Sequence, residues 1–179
     1  MKETEISVLD VLEIALKKEA DEKRFYTDLA KHVADDQVRE FLNLMAHESH
    51  HHENEIRKLL GGNGIRTDIR IKRNEVRKLV DHHFQTDIFP TGNDISKMAP
   101  EFKGVQEVLD FAIEVENVAA EFYKLLGQYC EKPLAKAALL QLEIIELDHA
   151  EKLESFKERY YGNIRLGEYP NKLNQTHGI

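Results

Sequence analysis

Two short stretches pair a glutamate with a histidine three residues further on: Glu48-Ser-His-His51 and Glu146-Leu-Asp-His149. Two more glutamates, Glu19 and Glu116, recur in matched surroundings. Val11-Leu-Glu through Phe25-Tyr26 lies in register over Val108-Leu-Asp through Phe122-Tyr123. Residues three apart on a helix are neighbours on one face, so each Glu and His pair can reach one metal ion. Carboxylate and imidazole without thiolate suit iron or manganese better than copper(I). Each of the four glutamates interrupts an apolar stripe that otherwise packs inward. An isolated buried carboxylate is very costly, and clustered carboxylates raise one another's pKa. Two divalent cations would cancel four negative charges, and two neutral imidazoles would complete the set. The expected ligands are Glu19, Glu48, His51, Glu116, Glu146 and His149. His52 competes with His51, since it lies four residues past Glu48. The repeat favours His51, because Ala150 takes the place of His52 in the second half.

Four stretches with a 3.6-residue apolar rhythm must position these groups. The first runs from about Ser7 to Val33, and Ser7 with Asp10 reads as a capping box. The second runs from Asp35 or Asp36, either of which can cap it, to Leu60, where Gly61-Gly62 ends it. The third follows Gly104 and spans about Val105 to Tyr129. The fourth opens at Pro133, a favoured first-turn residue, and runs to about Tyr160, with Gly162 closing it. Short connections within each pair make antiparallel hairpins. The stretch 61–104 is too long for a plain loop and reads as a crossover. A short helix is expected near Ile71–Phe84, and Pro90–Pro100 reads as a turn. The fold class is therefore all-α. It is the ferritin-like four-helix bundle, two antiparallel helix hairpins joined by a long crossover. Residues 1–162 form that domain, and 163–179 are a polar tail.

Composition narrows the function. The 179 residues hold nine glycines and four prolines, few turn-formers for so long a chain. The net charge of -8 argues against a binder of nucleic-acid phosphates, which would carry a basic footprint. No apolar run approaches the roughly 20 residues of a membrane span. The first residues carry mixed charge and no apolar signal segment. Cys130 is the single cysteine, which excludes an internal disulfide and a Cys-x-x-Cys iron or zinc site, and fits a reduced, cytoplasmic setting. Cys130 itself reads as structural. His47, His50 and the pair His82-His83 read as solvated or peripheral.

On the two Glu-x-x-His stretches, the two aligned Glu…Phe-Tyr helices and the two-hairpin layout, the chain resembles the rubrerythrin-like di-iron proteins of the ferritin-like superfamily. The match covers about residues 7–160. The resemblance implies two iron ions per chain, with manganese as the alternative, held by the six residues named above. It implies that Tyr26 and Tyr123 hydrogen-bond beside the ligands. It implies a non-haem di-iron oxidoreductase, a peroxide reductase or ferroxidase, that reduces hydrogen peroxide or O₂ or oxidises iron(II). The alternative is an iron-binding or storage protein without turnover. Rubrerythrins usually carry a rubredoxin-like domain, which one cysteine cannot build, so an external donor such as a rubredoxin-like protein would supply electrons. A homodimer is expected. The family's extra glutamate, three residues past the third-helix ligand, is Ala119 here, which shifts weight toward ferroxidase chemistry. Glu22, three residues past Glu19, offers a similar group on the other half.

Overall fold

The computed structural model describes residues 6–62 and 88–166. Five α-helices are described: α1 (Val8–Lys31), α2 (Asp36–Gly62), α3 (Gly92–Met98), α4 (Val105–Gln128) and α5 (Pro133–Leu166), with a single 3₁₀ turn (Ala99–Glu101) after α3. Among the described residues there is no strand, and no helix is long and apolar enough to cross a membrane.

The helix starts follow from capping. The Ser7 side chain accepts from the Asp10 backbone N–H, while the Asp10 carboxylate accepts from the Ser7 backbone N–H at 2.9 Å. Two donors that would otherwise be orphaned at the helix end are thus satisfied reciprocally. Asp35 caps α2 by accepting from the Val38 backbone N–H at 3.0 Å, and its second oxygen accepts from the Tyr160 hydroxyl at 3.0 Å. That bond ties the end of α5 to the start of α2.

α1 packs along α2, and α4 along α5, as two hairpins; α1 also packs against α5. The core between them holds Val11, Ala15, Leu29, Leu42, Met45, Leu109, Ala112, Leu126, Leu139 and Leu153, none of them exposed. Phe41 and Phe156 stack face to face across α2 and α5, with centroids 4.0 Å apart. Cys130 is buried beneath Ile6, as a structural cysteine would be.

Two expectations need correction. Pro90–Pro100 is not a plain turn, because α3 occupies most of it and lies on α1. Ile95 is fully buried, Phe89 meets Phe25, and the Gly92 backbone N–H donates to Asp28 Oδ2 at 2.9 Å. One buried isoleucine and one tertiary bond override local turn chemistry. Gly92 has φ +23°, a value that suits glycine. The fourth long helix does not stop at Gly162 but continues to Leu166. One glycine costs a helix about 1 kcal/mol relative to alanine, too little to end a helix without a capping arrangement. The short helix expected near Ile71–Phe84 lies outside the described residues.

Candidate metal centre

The inner face of α1 carries Glu19, Glu22 and Tyr26, spaced three and four residues apart. The inner face of α4 carries Glu116 and Tyr123. α5 contributes Glu146 and His149, again three apart, and α2 contributes His52. Glu19, Glu22, Glu116, Glu146 and His149 are each no more than 1% exposed. Glu22, Glu116, Glu146 and His149 each offer an atom within 4.8 Å of the others. His149 Nδ1 lies 3.0 Å from Glu22 Oε1, 3.7 Å from Glu146 Oε2 and 3.9 Å from Glu116 Oε2. Beside this group, His52 Nδ1 lies 3.5 Å from Glu19 Oε2. The His52 and His149 rings stack with centroids 5.4 Å apart, joining the two groups into one centre.

The electrostatics are those of a site short of positive charge. Burial first, and then the charges of Glu22 and Glu146, push the Glu19 carboxyl up to about 10. Burial and neighbouring carboxylates raise Glu116 and Glu146 as well. Burial alone would lower His149, but its contacts with Glu146 and Glu22 outweigh that and carry it up to about 12. Burial, then the charge of His149, lowers His52. Ten buried side-chain atoms lack a hydrogen-bond partner among the described residues, and nine belong to the glutamates and histidines of this centre. Buried polar groups are normally paired. Four carboxylates and two imidazoles left so, within reach of one another, are a donor set that divalent cations fit.

The tyrosines differ. Tyr26 donates its hydroxyl proton to Glu116 Oε1. The Tyr123 hydroxyl, equally buried, has no partner among the described residues. Burial raises both phenols well above their ordinary value.

Four of the six expected ligands, Glu19, Glu116, Glu146 and His149, meet in this centre; Glu48 stands at its edge, and His51 lies outside it. Glu48 is half-buried, and its carboxylate accepts from Lys152 Nζ at 2.6 Å. It approaches His149 at 3.8 Å, but at Nε2, the ring nitrogen away from the Nδ1 that Glu22, Glu116 and Glu146 surround. His51 is exposed. The residues that face the centre are Glu22 and His52, the two further candidates. The reason is register. The first and third long helices match at an offset of 97, as Glu19 to Glu116 and Tyr26 to Tyr123 show. The second and fourth match at that same offset: Leu42 to Leu139, Met45 to Leu142, Ile56 to Leu153, all inward-facing. His52 then falls on His149, and Ser49 falls on Glu146. Pairing Glu48 with Glu146 slips the helix by one residue, or about 100° of rotation. The constancy of the repeat offset was the signal that finds His52.

A cavity of about 400 Å³ opens between α2 and α5, lined by Phe41, Met45, Glu48, Asp148, Lys152 and Arg159 among others. It approaches the centre where Glu48 faces His149.

Comparison with known proteins agrees with this architecture. A solved structure of a hypothetical protein from Pyrococcus furiosus is 24% identical, with 86% of this chain and 89% of that chain covered, and a TM-score of 0.52, which supports the fold. No curated protein matches. The family model described as Rubrerythrin matches residues 10–99, which takes in nearly all of α1, the whole of α2 and the crossover through α3. On that match over half its length, the chain belongs to the rubrerythrin family, within the ferritin-like superfamily.

Proposed function

We propose that the protein is a non-haem di-iron oxidoreductase that reduces hydrogen peroxide or O₂, or oxidises iron(II). The observation that carries this reading is the buried set of four carboxylates and two imidazoles with its unpartnered atoms. Glu19, Glu22, Glu116, Glu146, His52 and His149 would hold two metal ions, four negative charges against four positive. Iron bound there would supply electrons for breaking an O–O bond. Hydrogen peroxide takes two electrons and two protons to give two waters. Two iron(II) ions held by these residues would supply those electrons, and an external donor protein, rubredoxin-like in kind, would restore them.

The chain's own groups have distinct tasks. Tyr26 holds Glu116 by donating to Oε1, which leaves Oε2 free toward the centre. Tyr123 keeps a proton on an unpartnered hydroxyl beside the carboxylates. Burial keeps bulk water from the glutamates and strengthens every charge interaction among them.

The test is anaerobic loading with iron(II), followed by peroxide or O₂ while absorbance and iron oxidation are recorded. Two irons bound per chain, oxidised within the same preparation, is the expected outcome. Uptake well below two irons, or bound iron(II) that resists both oxidants, overturns the reading. Manganese(II) loaded in parallel distinguishes the alternative metal. We also propose a homodimer, for which the molar mass in solution is the measurement.

A further inference from the structure

The two halves of the centre agree position by position at the offset of 97, except at one exchange. α1 has Glu22 where α4 has Ala119, and α2 has Ser49 where α5 has Glu146. Each half therefore keeps two carboxylates and one imidazole, but one carboxylate comes from a different helix. The two exchanged side chains touch: Ser49 Oγ lies 2.9 Å from Glu22 Oε1. Both are fully buried. We infer that Glu22 is a divalent-cation ligand that replaces the carboxylate missing from α2, and that Ser49 positions it by donating its hydroxyl proton. This inference rests on the metal-binding reading above.

Three observations support it beyond the pattern. Glu22 Oε1 lies closer to His149 Nδ1 than either Glu116 or Glu146 does, so its carboxylate enters the centre from the α1 side. Its other oxygen, Oε2, is buried without a partner and so is free to accept a cation. Ser49 is fully buried, and its side chain meets the Glu22 carboxylate directly. Its hydroxyl carries one proton, with Glu22 Oε1 at 2.9 Å and the Met45 carbonyl at 3.0 Å as the two acceptors. When Glu22 is ionised the carboxylate is the stronger acceptor. The bond then occupies one lone pair of Oε1 and fixes the direction in which the rest of the carboxylate points.

Cobalt(II) is the probe, because its visible bands report coordination and it needs no redox partner. The full chain is titrated, with helical circular dichroism and a thermal melt confirming that each variant folds. Wild type should bind two equivalents. Glu22→Ala should lose one equivalent or bind it about tenfold more weakly or worse, in line with the effect of losing groups at metal sites. The double variant Glu22→Ala with Ser49→Glu should recover two equivalents, because the carboxylate returns to α2. Ser49→Ala should keep both equivalents with altered visible bands, and Ser49→Thr should restore the wild-type bands. Two unweakened equivalents in Glu22→Ala, or a folded double variant that binds no better than Glu22→Ala, overturns the exchange. Unaltered bands in Ser49→Ala overturn the positioning role. A wild type that binds no cobalt overturns the metal reading itself, and the exchange with it.

Discussion

At the scale of single residues, the buried carboxylates set how the metal-free protein responds to pH. Glu19 is pushed up to about 10 by burial and then by Glu22 and Glu146, and Glu116 and Glu146 are raised by burial in the same way. In the unfolded chain these groups release their protons near 4.5. Above that pH the folded state binds more protons than the unfolded, so stability falls as pH rises. His149, held up to about 12, adds the same sign from its ordinary 6.5 upward. Glu53 acts oppositely: hydrogen bonding from Arg57, with Lys23 and His50 adding to it, lowers its carboxyl to about 2, so its contribution is lost as pH falls from 4.5 toward 2. The metal-free melting temperature should therefore peak near about pH 5 and decline steadily to about pH 9. A flat or rising profile over that range would contradict the burial argument. The tyrosines give a second prediction. Tyr26→Phe removes the hydrogen bond to Glu116 and should cost about 1–3 kcal/mol in urea unfolding of the metal-free protein. Tyr123→Phe removes a hydroxyl that has no partner, so its cost should be close to zero. Equal costs would mean that the two hydroxyls are equally bonded in solution.

At the scale of elements, the caps and the register carry the structure. Ser7→Ala removes one half of the capping box on α1 and should destabilise by about 0.5–2 kcal/mol, read as a lowered denaturation midpoint with unchanged slope. The capping box and the starts of the long helices were readable in the sequence because each rests on a few adjacent residues. The short helix α3 was not, since its place depends on Ile95 and Gly92 meeting α1 rather than on its own residues. The ligands of α2 fell between these cases. His47-Glu-Ser-His-His-His-Glu53 is so dense in ligand types that several pairs satisfy helical spacing. Spacing alone could not choose between His51 and His52; the register of Leu42, Met45 and Ile56 against α5's Leu139, Leu142 and Leu153 does. Phe41 and Phe156 hold that register from outside the centre. A double-mutant cycle between them should give a coupling of about 0.5–1.5 kcal/mol. No coupling would mean that the packing of α2 on α5 rests on the interior apolar residues alone.

At the scale of the whole molecule, the metal-free centre is a destabilising element that a bound cation would convert into a stabilising one. Three raised carboxyls and a trapped imidazolium sit between four helices whose apolar faces would otherwise meet. A cation that binds the folded chain and not the unfolded one adds about 2.7 kcal/mol per site when free metal is a hundredfold above Kd. For a chain of this length each kcal/mol raises the melting temperature by roughly 2–4 °C, so one filled site should raise it by about 5–10 °C. Binding also displaces the protons that the carboxyls retain, so it strengthens as pH rises. The metal-loaded protein should therefore lose the downward slope of the metal-free pH profile, and the gap between the two curves should widen from about pH 5 to about pH 8. Melting curves with manganese(II) and with a chelator, across that range, measure both effects without any turnover. A constant gap would place the bound ion on a surface carboxylate such as Asp148, whose carboxyl the Lys152 ammonium holds below its ordinary value, rather than among the raised carboxyls of Glu19, Glu116 and Glu146.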